Sequence, residues 1–219
     1  MKLTATAPYP RRQGFTIIEL LVVVTIIAVL AGLVISQAPK MMEDARKLEV
    51  RNTIIAIRNG VNSYQVEYNR YPIDPEQAGG GDEDAQAFQT DENTILIETL
   101  MGDAANLSGT ASEPDPESIN PKGIEFATFK MAQNGRNGLV GAQPPFRLVD
   151  LWAQPYWVIL DTNMDRKIQN PDMQNQDPKM SRNAVSPPPE YLPTDVGIYS
   201  AGKDIMQLTG DDVVSWRDQ

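Results

Sequence analysis

The sequence contains no cysteine and no histidine, and these two absences exclude several classes of function. Without cysteine there is neither a disulfide framework nor a thiolate metal site. Without histidine the chain lacks the commonest general base, the usual zinc ligand and any Ser/His/Asp triad. Only carboxylate, lysine or tyrosine chemistry remains, so the sequence predicts a protein that is not an enzyme.

Basic residues are scarce in the larger, C-terminal part of the chain. The whole chain has 219 residues and a formal net charge of −10. Residues 1–71 hold nine basic and five acidic residues, a net of +4, whereas residues 72–219 hold ten basic and twenty-four acidic residues, a net of −14. Because such an acidic surface repels nucleic acid, we predict no nucleic-acid partner. The length leaves room for one modest soluble domain beside a membrane helix.

A long apolar run follows the basic N-terminus, and from Leu20 to Ile35 its only polar side chain is Thr25. As a helix, this run would rise about 24 Å against a hydrocarbon core of roughly 30 Å, whereas a helix that starts at Phe15 rises about 31 Å. The spanning helix therefore includes Glu19. Three basic residues precede the run and predict a cytoplasmic N-terminus by the positive-inside rule: Lys2, Arg11 and Arg12.

Glu19 places a carboxylate in a helix that is otherwise built for lipid. Insertion scales give a cost of up to about 3 kcal/mol at mid-bilayer and less near a helix end. A cut between Gly14 and Phe15 would create an amino-terminal cation one turn from Glu19, and opposite charges 4 Å apart attract by roughly 4 kcal/mol at an effective dielectric of 20. A neighbouring copy could offer the same cation. The pattern therefore indicates a processed N-terminus that pairs with Glu19 within one chain or between chains.

The stretch from Gly14 to Leu21, preceded by a short basic leader, resembles the prepilin signal of type IV pilins and type II secretion pseudopilins. The resemblance implies that a prepilin peptidase cleaves after Gly14 and N-methylates Phe15. It also implies that Glu19 is the assembly residue, which meets the terminal amine of an adjacent subunit. The alternatives are a secretory signal peptide, whose apolar core is shorter and lacks such an acid, a twin-arginine signal and a plain single-pass anchor.

Helical periodicity continues beyond the apolar run as far as Tyr71, and Pro72 ends it. Pro39 predicts a kink or a local loosening of this helix. We expect the apolar face of the second half to pack on the chain's own sheet. The predicted divisions are a prepilin leader (1–14), the transmembrane half of the helix (15–36), its amphipathic periplasmic half (37–71), an acidic loop insertion with a short helix (72–123) and a C-terminal antiparallel β region with an acidic loop (124–219).

Strand signals come late in the chain, as short segments rich in aromatic or β-branched residues. Together with the long helix they predict an α+β fold, in which the N-terminal helix packs on a small antiparallel sheet. The resemblance implies the same architecture, the pilin fold. The predicted strands run from Phe126 to Met131, from Phe146 to Val149, from Tyr156 to Leu160 and from Val196 to Tyr199.

Residues 161–165 have the D-x-N-x-D spacing that opens a calcium loop. Arg166 stands where the sharp turn of such a loop needs glycine, and Lys167 adds a cation beside it. The segment therefore predicts a polar hairpin turn.

A second acidic cluster near the C-terminus predicts a calcium site. Its Asp side chains and loop carbonyls supply the hard oxygen ligands that calcium prefers. The loop also resembles the calcium loop near the end of major pseudopilins. By that resemblance the Ca²⁺ ligands are Ser200, Asp204 and one or both of Asp211 and Asp212.

These features predict a structural subunit of a type II secretion-like pseudopilus, because the pilin branch usually carries a cysteine pair, which this sequence lacks. The C-terminal loop makes the resemblance closest to the major pseudopilins. The protein would be a single-pass protein of the bacterial inner membrane with a periplasmic domain, and would then enter a periplasmic fibre that drives protein export. The expected partners are further copies through the N-terminal helix, other pseudopilins, the prepilin peptidase and the inner-membrane assembly machinery. The alternatives are a type IV pilin or minor pilin of a surface filament and a membrane-tethered calcium-binding or adhesion module that does not assemble.

Overall fold

The computed structural model describes residues 14–74, 84, 86–92, 94–102, 119–142 and 144–217. Of the predicted leader, only Gly14 is among them. The chain divides into two units, residues 1–44 and residues 45–219. Helix α1 (Ile17–Tyr68) contributes residues to both and continues through Pro39. The proline removes one backbone donor, but the turns on either side keep their own hydrogen bonds, so the helix is not interrupted there.

Within the residues that the structure describes, the second unit combines the end of α1 with a short helix and eight short strands. The elements are α2 (Thr94–Met101), β1 (Phe88–Gln89), β2 (Gly138–Val140), β3 (Arg147–Val149), β4 (Trp157–Leu160), β5 (Ile168–Gln169), β6 (Tyr191–Leu192), β7 (Val196–Ser200) and β8 (Val213–Val214), with a 3₁₀ helix at Pro171–Gln174. The main sheet has the order β1-β4-β7-β8 and is antiparallel throughout. Strands β2 and β3 form one antiparallel pair, and β5 and β6 another.

One face of α1 forms the centre of the hydrophobic core. Val50, Ile54, Ile57, Val61 and Tyr64 follow one another at intervals of three and four residues, and each is at most 1% exposed. That spacing places them on a single face of the helix. They belong to one core cluster with residues of α2, β4 and β7. The predicted α+β fold, a long helix packed on a small antiparallel sheet, is confirmed.

The main sheet is buried on both faces. In β4, Val158 and Leu160 belong to the core on the α1 side. Ile159 belongs to a second cluster, with residues of β5, β6, β7 and β8, because successive side chains of a strand point to opposite faces. The segment between β4 and β7 therefore covers the outer face of the sheet.

The prediction of a strand from Phe126 to Met131 is wrong. Residues 126–130 form no ladder, and Met131 makes only an isolated bridge. The backbone N–H groups of Phe126 and Ala127 both donate to the carbonyl of Leu100 at the end of α2, at 2.8 and 2.9 Å. Phe126 packs edge-on against Tyr64 of α1, with ring centroids 5.4 Å apart. The aromatic residues of this segment thus pack on the helices, and the segment needs no sheet partner.

Candidate functional site

The start of α1 is a reciprocal cap between Thr16 and Glu19. The Glu19 Oε2 atom accepts hydrogen bonds from the backbone N–H of Thr16 at 2.8 Å and from its hydroxyl at 2.9 Å. The backbone N–H of Glu19 lies 3.3 Å from the Thr16 hydroxyl oxygen, which accepts from it. This is the capping-box arrangement, in which the N-cap residue and the third helical residue satisfy each other's backbone donors. The carboxylate of Glu19 is therefore held at the N-terminal end of the helix, where the helix dipole favours a negative charge.

The Thr16–Glu19 cap was not predicted from the sequence, although its signal is present there. Thr16-x-x-Glu19 directly before an apolar run is the sequence signature of a capping box. Phe15, the residue predicted to become the new N-terminus, immediately precedes the cap and is 85% exposed. The structure thus places the predicted cleavage position next to the predicted assembly residue.

The apolar segment that follows the cap presents its side chains to the surroundings. From Phe15 to Ile35 the large apolar side chains are between 46% and 85% exposed. The hydroxyl of Thr25 donates to the carbonyl of Val22 at 2.8 Å, so the one polar side chain of the run is satisfied within the helix. Among the described residues, α1 is the one helix that is long and apolar enough to cross a membrane, by length and composition.

The predicted calcium residues lie in the loop between β7 and β8, and two of them converge on one threonine. The Thr209 hydroxyl oxygen is 2.8 Å from Asp211 Oδ1 and 3.1 Å from Asp212 Oδ1. A hydroxyl carries a single proton and so can satisfy only one of these oxygens at a time. Asp204 lies close to Asp211 as well, since its backbone N–H donates to Asp211 Oδ2 at 3.2 Å.

Ser200 takes part in a different interaction. Its hydroxyl donates to Asp150 Oδ2 at 2.6 Å, and both residues are fully buried. The other oxygen of Asp150 accepts from the backbone N–H groups of Trp152 and Gln154, both at 2.8 Å. Burial raises the pKa of the Asp150 carboxyl, and these hydrogen bonds oppose the rise. Asp150 therefore ties the 150–155 turn to the end of β7.

The acidic loop is closed by hydrogen bonds from its own backbone. Asp211 Oδ2 also accepts from the N–H of Lys203 at 2.8 Å, and Asp212 Oδ2 accepts from the N–H of Leu208 at 2.8 Å. Burial raises the pKa of Asp212 to about 6. Burial also acts to raise the pKa of Asp211, but the hydrogen bonds that it accepts outweigh this effect and lower the pKa.

The chemistry of this loop fits calcium in part. Asp204, Asp211 and Asp212 supply hard oxygen atoms on one loop, and two of these carboxylates share a single hydroxyl donor. However, the part of the chain that the structure describes contains no group of three or more acidic side chains arranged to hold a metal ion. Calcium binding therefore stays a prediction.

Comparison with known proteins matches the start of the chain to a described family. The family model for the prokaryotic N-terminal methylation motif matches residues 9–35, which contain Gly14, Phe15 and Glu19. The start of the chain is thus similar to the N-terminal methylation motif. The predicted resemblance to prepilins is thereby confirmed.

Curated relatives of the chain are components of one secretion system. The type II secretion system core proteins G of Aeromonas hydrophila and Escherichia coli (strain K12) are each 36% identical over 62 residues, which is 28% of this chain and 43% of each relative. The corresponding protein of Dickeya chrysanthemi is 33% identical over 69 residues, 32% of this chain and 45% of the relative. The chain thus spans less than half the length of the curated relatives that it matches. No solved structure matches it significantly.

Proposed function

We propose that this pseudopilin-like chain is a structural subunit of a type II secretion-like pseudopilus. A prepilin peptidase would cleave between Gly14 and Phe15 and methylate the new amino group. The subunit would then reside in the bacterial inner membrane with its N-terminus in the cytoplasm. The assembly machinery would add it to a periplasmic fibre that drives protein export. The observation that carries the proposal is the methylation motif at residues 9–35, which includes the capped start of an exposed apolar helix.

The proposed assembly step is an electrostatic exchange between copies. In one subunit Glu19 lies in the first turn of α1, bound to Thr16. The amine of Phe15 in an adjacent subunit would supply the opposite charge, and the surrounding lipid or apolar side chains would strengthen their attraction because they screen charge poorly. Other pseudopilins with the same N-terminal motif could meet Glu19 in the same way. The function is thus mechanical and interactive, not catalytic.

Processing gives the first test. Intact-mass and N-terminal analysis of the membrane-extracted protein should show a chain that begins at N-methylated Phe15 when the prepilin peptidase is present. Without the peptidase, the chain should keep its first fourteen residues. A membrane-resident form that retains an unmodified leader beside an active peptidase would contradict the proposal. Electron microscopy of the assembled material then distinguishes short periplasmic fibres from long surface filaments.

We further propose that the loop between β7 and β8 binds Ca²⁺ through Asp204, Asp211 and Asp212. The resemblance implies Ser200 as a further ligand, although its hydroxyl already donates to Asp150. A bound cation would neutralise carboxylates that lie close together and would stabilise the folded state by its binding free energy. This proposal is independent of the assembly step.

Calcium addition gives the second test. At a free calcium concentration 100 times the dissociation constant, linkage predicts about 2.7 kcal/mol of added stability, so the melting temperature of the full chain should rise by several degrees. The Asp211→Asn variant should lose this rise, whereas Asp44→Asn, a change of an exposed Asp on α1 outside the loop, should keep it. An unchanged melting temperature after calcium is added to protein stripped with a chelator would refute the site.

A further inference from the structure

The dipeptide Asn-Gly occurs three times in the sequence, at residues 59–60, 134–135 and 137–138. In such a pair the backbone nitrogen of the glycine can attack the side-chain amide of the asparagine, because glycine has no side chain to hinder the approach. The reaction needs a nitrogen that water can reach and a backbone that can rotate. The local sequence is the same at all three pairs, so the fold decides which of them reacts.

The pair at 134–135 forms the tip of an open turn. Asn134 has a φ of 54° and Gly135 a φ of 71°, and positive values at both central residues are typical of the type I′ turn, for which Asn-Gly is a preferred sequence. Gln133 and Arg136 close the turn by exchanging backbone hydrogen bonds of 3.0 and 3.1 Å. Asn134 and Gly135 are both exposed. A Cβ atom built on Gly135 would meet nothing within 4 Å beyond its neighbours in the chain.

The reacting groups of this turn have no competing partner. Within the residues that the structure describes, neither the side-chain amide of Asn134 nor the backbone N–H of Gly135 makes a hydrogen bond. The nitrogen of Gly135 can therefore approach the Cγ atom of Asn134 by rotation of an exposed turn, without breaking a contact of its own.

The pair at 137–138 is held on both sides. The side-chain Nδ2 atom of Asn137 donates to Glu49 Oε2 at 2.9 Å, and its backbone N–H donates to the carbonyl of Asp150 at 2.7 Å. Gly138 is the buried first residue of β2. A Cβ atom built there would lie 2.3 Å from the carbonyl oxygen of Lys130, so the backbone has no room to rotate.

The pair at 59–60 lies inside α1. In an α-helix the N–H of residue 60 donates to the carbonyl of residue 56, so this nitrogen is already engaged. Gly60 is buried, and a Cβ atom built on it would lie 3.0 Å from the Cβ atom of Ala127. Attack on the Asn59 amide would therefore require local unfolding of the helix.

We propose that Asn134 is a site of spontaneous deamidation, with isoaspartate as a product. The nitrogen of Gly135 loses its proton to hydroxide and forms a bond to Cγ of Asn134. The bond between Cγ and Nδ2 then breaks, and the amine takes a proton from water and leaves as ammonia. Water adds to either carbonyl of the resulting succinimide ring and opens it, to aspartate or to isoaspartate. The reaction consumes no oxidant or reductant, and it does not depend on the proposed assembly of the chain.

The product differs from Asn134 in charge and in backbone length. Both products add a carboxylate to an already acidic chain, and in isoaspartate the chain continues through the side-chain carbonyl, which lengthens the backbone by one carbon atom. A type I′ turn is a two-residue connection of fixed geometry, so the hydrogen bonds between Gln133 and Arg136 should be lost. The free α-carboxylate of isoaspartate makes the modified turn a substrate for an isoaspartyl carboxyl methyltransferase, which transfers a methyl group from S-adenosylmethionine.

Trypsin places each pair in a peptide of its own, because it cleaves after Arg58, Lys130 and Arg136. The full chain in detergent would be aged in alkaline buffer, with and without urea, and deamidation would be followed by mass spectrometry of the three tryptic peptides. In the folded protein Asn134 should deamidate at least tenfold faster than Asn59 or Asn137. In urea the three rates should converge. Equal rates in the folded protein, or an undiminished preference for Asn134 in urea, would overturn the inference.

Asn134→Gly is the matched variant, since a Gly-Gly pair keeps the type I′ turn and removes the reactive amide. Aged wild-type protein should accept labelled methyl groups from S-adenosylmethionine in the presence of an isoaspartyl carboxyl methyltransferase. The aged variant should accept at least tenfold less. Equal labelling of the two proteins would place the isoaspartate elsewhere in the chain and would also overturn the inference.

Discussion

Replacing Glu19 with alanine should abolish incorporation into fibres while the protein remains in the membrane. The carboxylate costs up to about 3 kcal/mol during insertion, so its removal favours the membrane-bound form. Its attraction to the Phe15 amine of a neighbouring copy is roughly 4 kcal/mol at 4 Å and an effective dielectric of 20, and each 1.4 kcal/mol is a factor of about ten in affinity. Membrane fractionation would measure how much protein remains in the membrane, and electron microscopy of sheared fibres would measure incorporation into fibres.

The capping box supplies the controls for this experiment. Glu19→Gln can still accept the hydrogen bonds from Thr16, since glutamine serves in capping boxes, but it carries no charge. Thr16→Ala keeps the charge and removes the cap, at about 1 kcal/mol of helix stability. If charge directs assembly, Glu19→Gln should fail and Thr16→Ala should form fibres. Normal fibres from Glu19→Gln would show that Glu19 acts only as a helix cap.

The elements that the sequence predicted correctly are those with a strong local pattern. The second half of α1 shows three-and-four spacing of apolar residues, and β4 and β7 are short apolar runs between turn residues. The two-residue strands β1, β5 and β6 carry no such pattern. Strand β1 forms by pairing with β4, and β5 and β6 pair with each other in the segment that covers the outer face of the sheet. Both are tertiary effects that local propensity does not contain.

The candidate sites divide in the same way, into residues that a local motif identifies and residues whose role depends on a distant partner. Gly14, Phe15 and Glu19 lie within six residues of one another, so a local motif identifies them. In the acidic loop, Asp211 and Asp212 converge on Thr209 as short spacing would allow. Ser200 instead binds Asp150, fifty positions earlier in the chain. A partner so distant depends on how β7 packs against the 150–155 turn, and one sequence does not reveal it.

Arg217→Ala should produce the largest loss of stability among single changes to the C-terminal region. The Arg217 guanidinium binds Asp172 through Nη2 at 2.6 Å and Nε at 2.9 Å, with side chains 16% and 6% exposed. Trp216 Nε1 donates to Asp172 as well, at 2.9 Å. Removing the arginine leaves a buried carboxylate without its counter-charge, which typically costs about 3–5 kcal/mol. The backbone carbonyl of Arg217 also accepts from Arg51 of α1 at 3.1 Å, so this cluster joins the chain end to the helix.

Urea unfolding of the full chain in detergent, followed by tryptophan fluorescence, would measure this loss, because Trp216 belongs to the cluster. Arg217→Lys is the matched control: it keeps the charge but loses the two-pronged geometry, so its loss should be intermediate. In the double variant Asp172→Asn/Arg217→Ala no carboxylate is left unpaired, and the total loss should be smaller than the sum of the two single losses. Additive losses, or a loss below about 1 kcal/mol for Arg217→Ala, the range of an exposed ion pair, would show that the pair does not hold the C-terminal end in place.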